Sequence, residues 1–237
     1  MKKNNVIRAS ILIATSFLLS SGVQAASAKD ILISPLLIHI APVDETEPVI
    51  STPVNSAIPG LDLSASSETV PALGLTYMLN EKLGFETYLA IPPTHDVLLS
   101  GLYDILGIPG MPSEVKGAEA DMLPLVVFAQ YHHAIPETRF TLIGGFGLSY
   151  TIFQNIDTTA ALKQIDPTIK FSADDVPGVA LQVGAQYALN DKYSIRANYT
   201  KMFLEVDLEV STTALGNLSS TLTLDPDVFM LGMAYKL

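Results

Sequence analysis

The chain has 237 residues, 49% of them hydrophobic, with a mean hydropathy of +0.36 and a formal net charge of -11. Acidity of that size leaves no basic surface for nucleic acid, and the absence of cysteine excludes both a disulfide framework and a lipid-modified cysteine. The apolar residues must be buried somewhere, yet beyond the N-terminus no run reaches the roughly 18 apolar residues of a helical membrane span.

The first segment, MKKNNVIR, is a positive n-region; ASILIATSFLL is an apolar stretch, and VQA supplies small residues for cleavage after Ala25, with ASA and Ala28 as the alternative. This pattern predicts a secretory signal peptide over 1–25, too short to span as a helix. The mature chain, 26–237, would keep ten basic against 24 acidic residues. No linker or composition shift divides it, so it reads as one domain.

Alternation of period two then recurs in eight segments, at about 30–41, 69–79, 82–92, 120–132, 139–153, 176–189, 192–209 and 220–237. LNEK joins the second to the third, HHAIPET the fourth to the fifth, and LNDK the sixth to the seventh. The remaining connections, 42–68, 93–119, 154–175 and 211–219, are mostly longer and polar. Strict alternation of short and long connections predicts an all-β fold, an eight-stranded antiparallel up-and-down transmembrane β-barrel. Its short turns and both termini would lie in the periplasm, in a bacterial outer membrane. A soluble β-sandwich with the same faces inverted is the alternative.

In the third strand Leu83, Phe85, Leu89 and Ile91 oppose Glu86 and Tyr88. In the fifth, Phe140, Leu142, Phe146, Leu148, Tyr150 and Ile152 oppose Thr141, Gly145, Gly147 and Ser149. The sixth sets Val179, Leu181, Val183, Tyr187 and Leu189 against Ala180, Gln182 and Gln186. The eighth puts Phe229, Leu231, Met233, Tyr235 and Leu237 on the lipid face and closes the barrel, since an open sheet edge cannot sit in hydrocarbon.

The seventh strand changes character along its length. Its inward set begins with Ser194, Arg196, Asn198 and Thr200 and continues with Met202, Leu204, Val206 and Leu208. Over the second half the outward set holds Glu205, Asp207 and Glu209, which hydrocarbon would penalise, so this half projects above the bilayer with its apolar face inside. Met122, Val126 and Phe128 in the fourth strand, and Leu222, Leu224, Val228 and Met230 in the eighth, join the same hydrophobic lumen. Methionine there suits varied ligands. Below it, Glu86, Arg196 and Lys236 would form a charge-paired polar plug. The bland alternative is that these side chains only fill a small barrel.

Pro71, Pro92, Pro124 and Pro177 lie near the outer strand ends. Proline removes a ladder hydrogen bond, so they are candidates for a lateral gap or for plain strand termination. His39 and His95 fall near the outer rim, too few for a metal site, while His132 and His133 fall at a short turn and read as interfacial. No nucleophile context flanks the histidines, so no enzyme is expected. GGFG at 144–147 lies within a strand and is not a phosphate loop. DTTAALKQIDP at 157–167 reads as a short helix capped by Asp157. Asp44, Glu45, Glu47, Asp174 and Asp175 would give an acidic rim able to meet lipopolysaccharide through cations, the basis of a structural or receptor role for phage, bacteriocin or host.

The stretches LGLTYMLNEKLGFETYLAIPPTHDV (73–97), LPLVVFAQYH (123–132), GGFGLSYTIF (144–153), LQVGAQYALNDKYSIRANY (181–199) and LDPDVFMLGMAYKL (224–237) resemble the outer membrane protein W (OmpW) family. That resemblance covers nearly the whole mature chain. It implies a barrel with an apolar lumen blocked by polar residues below, needing no cofactor and no metal. The family includes alkane-uptake proteins, so its implied partners are small hydrophobic solutes and membrane lipid, passing by lateral release, with a monomer sufficient. Pro177, Tyr193 and Asp227 stand where relatives commonly carry tryptophan, and Leu237 replaces a terminal phenylalanine. Asp227 therefore bears directly on the ligand contacts near the mouth.

Overall fold

A computed structural model describes residues 27–43, 45–46, 49–51, 56–105, 107, 110, 112–213 and 216–237. The expected signal peptide lies outside them, as do Asp44 and Glu47. Eight long strands build the barrel: β1 (Ile31–Ala41), β2 (Glu68–Met78), β3 (Leu83–Ala90), β4 (Glu114–Ala134), β5 (Phe140–Thr158), β6 (Val176–Ala188), β7 (Tyr193–Phe203) and β8 (Asp227–Lys236). The sheet runs β5-β6-β7-β8-β1-β2-β3-β4 and closes on itself through β4–β5, every pair antiparallel.

The pleat sends alternate side chains to opposite faces. On β5, Leu148 is 63% exposed and its neighbour Ser149 is 7% exposed. The same contrast holds from Leu83 to Leu89 on β3 and from Val179 to Leu189 along β6, with Ala180 and Gln182 buried between. A ring of outward aromatics, Tyr77, Tyr131, Phe140, Tyr187, Tyr193 and Tyr235, girdles the end where the chain termini meet; Phe140 stacks near Tyr187 and Tyr193 near Tyr235, with centroids 4.9 and 5.1 Å apart. On β5 the apolar outward set runs from Phe140 to Tyr150. Ten residue steps of about 3.3 Å, tilted by about 40°, make a band about 25 Å tall, the height of an outer-membrane hydrocarbon layer.

Two of the short turns are built alike. Asn80 Oδ1 accepts from the amides of Lys82 and Leu83, and Asn190 Oδ1 from those of Lys192 and Tyr193, each at 2.9 Å. The repeated Leu-Asn-x-Lys sequence is therefore an Asx turn that fixes the register of each hairpin.

At the other end the wall extends beyond the girdled band. The strand Thr94–Ser100 pairs with β4 on one side and with Asp62–Ala65 on the other. Opposite it, Lys170–Ala173, Glu205–Thr212 and Gly216–Thr223 form a second sheet, joined by Glu45–Thr46, Ile50–Ser51 and Ser56–Ala57. Some of these strands fill connections expected to be loops, and β4 and β5 are longer than expected; the expected seventh and eighth strands, 192–209 and 220–237, are instead each broken, with Glu205–Thr212 and Gly216–Thr223 leaving the barrel for the second sheet. Leu63, Leu99, Phe171, Val206, Val210 and Leu218 pack between the two walls as an upper core. The helix at Ala160–Ile165 starts at Thr159 rather than Asp157 and buries Leu162 against that core.

Candidate functional site

Inside the girdled band the barrel is shut by polar side chains from five strands. Arg196 (β7) and Glu86 (β3) meet at 2.5 Å, with side chains only 3% and 0% exposed. The second guanidinium nitrogen donates to Glu86 at 2.9 Å and to Gln130 Oε1 (β4) at 3.3 Å. Glu86 also accepts from Thr76 (β2) at 2.8 Å, from the Tyr88 hydroxyl and from Gln130. Gln182 (β6) accepts from Gln130 at 2.5 Å and donates to Tyr88 at 3.0 Å and to Thr200 at 3.3 Å. The charges cancel, and each carboxylate oxygen is used. This is the arrangement in which a buried ion pair offsets its own desolvation.

Phe128 sits at the level of the plug, across the ladder from Glu86. It is 1% exposed and meets Tyr88 edge-on at 6.2 Å. A Cβ on Gly147, its partner on β5, would lie 2.7 Å from the Phe128 ring, so only glycine leaves the ring its place.

Directly above lies a cavity of about 80 Å³. Met122, Val126, Met202, Leu204, Leu224, Val228 and Met230 line it as expected, together with Ile38 and Ile40 of β1, Val70, Tyr88, His95 and Thr151. An apolar void of this size costs about 2 kcal/mol relative to a filled core. Val206, Leu208 and Leu222 belong instead to the upper core, around a smaller void of about 20 Å³ that shares only Met122 and Leu224 with the main cavity. The expected continuous funnel is thus two chambers with a Met122–Leu224 partition, and its top is packed.

Part of the cavity lining coincides with an interruption in the wall. The β3–β4 ladder runs from Leu83–Tyr131 to Thr87–Val127 and stops. The next pair on β4 is Thr94–Asp121. Between them Pro92, Pro93 and Pro124 lack the N–H a ladder needs; Thr87 Oγ1 donating to Val126 O at 2.7 Å and Met122 N donating to Pro93 O at 3.0 Å bracket the interval. Leu123, whose position on β4 is outward, nevertheless lines the cavity beside Pro124 and Ala90. The flanking Leu89 and Ile91 are 65% and 70% exposed, among the most exposed apolar residues of the lipid face.

Several expectations need correction. Lys236 is not in the plug: its ammonium faces Asp30 at 3.9 Å at the terminal end, because its position pairs with Leu32 whereas Arg196 pairs with Gly232. Pro71 and Pro177 mark no gap; each is held within a ladder, opposite Leu37 and Tyr150 respectively. His132 is buried rather than interfacial and bonds Gln130 Oε1 at 3.0 Å, extending the plug downwards. Asp227 points outward, where Tyr199 donates to it at 2.7 Å and Lys201 lies 3.2 Å away, so the cavity wall at that level is Pro226 and Val228. GGFG is within β5, as expected. Gln130, Gln182, Thr76 and Thr151 were not singled out by sequence, since an inward neutral polar residue looks alike whether or not it has a partner.

At the rim above the band, His39 Nδ1 and Thr69 Oγ1 are 2.8 Å apart on the outside, while His95 turns inward with Nδ1 on the Ser66 carbonyl at 2.7 Å. Asp175 accepts from the Phe153 amide at 2.9 Å. Hydrogen bonds from Asn155 and then Thr94 hold the Asp121 carboxyl below its ordinary range, and Asp96 followed by Glu119 raises the Lys116 ammonium. Among the described residues no group of three His, Asp or Glu side chains could hold a metal.

Two kinds of likeness place this geometry. The sequence profile of the OmpW family matches residues 27–237. Outer membrane protein W of Vibrio cholerae is 27% identical over 240 residues, 99% of each chain. An uncharacterized outer-membrane protein, y4mB of Sinorhizobium fredii, is 27% identical over 76% of this chain and 71% of its own. Among solved structures, the outer membrane protein OprG from Pseudomonas aeruginosa superimposes with a TM-score of 0.80 at 24% identity, covering 91% of this chain and 99% of its own. AlkL in lipid bilayers gives a TM-score of 0.65 at 17% identity, with 100% and 97% covered.

Proposed function

Because the chain belongs to the OmpW family of outer-membrane barrels, we propose that it carries small apolar solutes into its central cavity and releases them sideways through the β3–β4 gap into the bilayer. One observation carries this reading: the apolar cavity is lined by Ala90, Leu123 and Pro124 where the β3–β4 ladder is interrupted. The Glu86–Arg196 plug bars the axial route to an apolar solute, so the only low-cost exit is the hydrocarbon beyond Leu89 and Leu125. Entry is from the extended end and requires the packed upper core and the Met122–Leu224 partition to move aside. In this reading the termini and the Asx turns face the periplasm. Closure within one chain lets a monomer act, with membrane lipid and lipopolysaccharide as its surroundings.

The test is uptake of hexane and octane into vesicles carrying the refolded chain, against empty vesicles and a Leu204→Glu, Met230→Glu variant that still folds. Uptake by the native chain that the variant loses supports transport. No uptake above empty vesicles would leave a receptor or structural barrel, for which the exposed row Glu205, Asp207 and Glu209 offers a surface.

A further inference from the structure

Four buried side-chain polar atoms have no hydrogen-bond partner among the described residues: Ser34 Oγ, Ser149 Oγ, Thr151 Oγ1 and Gln186 Oε1. Three lie away from the cavity. Ser149 Oγ is aimed at Gly178, where a Cβ would come within 2.7 Å of it; Ser34 borders a minor void of about 10 Å³ beside Arg196; Gln186 lies nearer the terminal end, opposite Arg196 in the ladder. Thr151 is different. It is 4% exposed, it forms part of the main cavity wall, and its hydroxyl is unpaired there. The same wall contains His95, 1% exposed, whose Nδ1 must be the donor to the Ser66 carbonyl, which leaves Nε2 as the acceptor of the neutral ring.

An apolar chamber that carries an unpaired hydroxyl and an imidazole acceptor, beside a Tyr88 hydroxyl already engaged in the plug, is not matched to a plain hydrocarbon, and among the described residues no lysine or arginine lines it to hold a carboxylate. From this we infer that the preferred cargo of the β3–β4 route is a short neutral amphiphile with a single hydroxyl head, an alkanol. The inference rests on the transport reading above and names its substrate class. An alkanol O–H can donate to Thr151 Oγ1 or to His95 Nε2, and its oxygen can accept from the Thr151 hydroxyl. A ketone can only accept, and therefore engages Thr151 alone; an alkane engages neither. Size follows from the cavity: its volume of about 80 Å³ is roughly half of the ~150 Å³ that takes a six-carbon ring, so it holds the hydroxyl head and the first carbons of a short chain. The remaining carbons of 1-hexanol would lie in the gap between Ala90 and Pro124, beside Leu123.

The experiment measures apparent affinities of 1-hexanol, 2-hexanone and hexane for the native chain in lipid nanodiscs, each corrected with empty nanodiscs, and repeats them with Thr151→Val, Thr151→Ser and His95→Phe. The native chain should prefer 1-hexanol to 2-hexanone and 2-hexanone to hexane. Thr151→Val, which keeps the shape, should lower the hexanol-to-hexane ratio about three- to tenfold, the worth of one neutral hydrogen bond, and abolish the preference for the ketone. Thr151→Ser should retain both preferences, and His95→Phe should weaken only the alkanol's. Equal affinity for 1-hexanol and hexane in the native chain, or a ratio unmoved by Thr151→Val, overturns the inference while leaving hydrocarbon transport standing. Binding of none of the three above empty nanodiscs overturns both.

Discussion

Removing either charge from the Glu86–Arg196 pair should be far worse than removing both. Glu86→Gln leaves the guanidinium buried with only amide and hydroxyl oxygens from Thr76, Gln130, Asn198 and the new side chain, and an uncompensated buried cation costs about 3–5 kcal/mol. Arg196→Met leaves a carboxylate that still accepts from Thr76, Tyr88 and Gln130, so its cost falls at the lower end, about 3 kcal/mol. In the double variant no charge is stranded, and the hydrogen bonds among the neutral groups survive. A double-mutant cycle should therefore show a coupling of about 3 kcal/mol in favour of the pair. Urea unfolding of the barrel in phospholipid vesicles, followed by circular dichroism because the chain has no tryptophan, measures each corner. Additivity within about 0.5 kcal/mol would refute the argument, since it would mean the two groups are not electrostatically coupled.

Gly147→Ala should push Phe128 off its rotamer and destabilise the barrel by about 1–3 kcal/mol, read as a lower unfolding midpoint. Asp121 has a lowered pKa, so its contribution is complete above its unfolded value near 3.8 and is lost as pH falls through its lower folded value; the Asn155 side-chain amide signal should hold steady from about pH 8 to 4 and move only below that. Lys116, raised by Asp96 and Glu119, contributes below 10.5 and loses its contribution only as pH climbs past its raised folded value, so neutral to mildly alkaline pH should leave the Thr94–Ser100 wall unchanged. On intact cells, a maleimide that does not cross the outer membrane should label Asp174→Cys and spare Asn80→Cys; the reverse pattern would invert the proposed orientation.

The lipid face was plain in the residues because on β5 each large side chain from Phe140 to Tyr150 but one alternates inside out, and Ile143, the exception, is buried inward. Glu86 and Arg196 stood out as charges on inward positions. Lys236 was misplaced for a physical reason: parity assigns a face but not a height. Arg196 lies opposite Gly232, and Lys236 is four residues, about 13 Å, further down β8. The gap had the same ambiguity. Proline content named four positions, but only the tertiary register places Pro92 and Pro124 on either side of one interrupted ladder. Of the upper sheet only the alternation over Glu205–Glu209 was legible, since pairs such as Ile50–Ser51 with Leu218–Ser219 are two residues long and distant in sequence, and Glu114–Glu119 reads as a polar loop while being the start of β4. The partition at Met122 and Leu224 depends on how the two walls close, which no local pattern records.

The lateral route can be tested by closing it. Continuing the β3–β4 register past Thr87–Val127 puts Leu89 opposite Leu125, both on the lipid face, and the chain's lack of cysteine makes a Leu89→Cys, Leu125→Cys pair the only thiols. The measurement is hexane uptake by vesicles carrying this variant, reduced and then cross-linked, with the extent of cross-linking read on a gel. Lateral release predicts that cross-linking cuts uptake at least about tenfold and that reduction restores it; fully cross-linked barrels that transport as fast as reduced ones would contradict it.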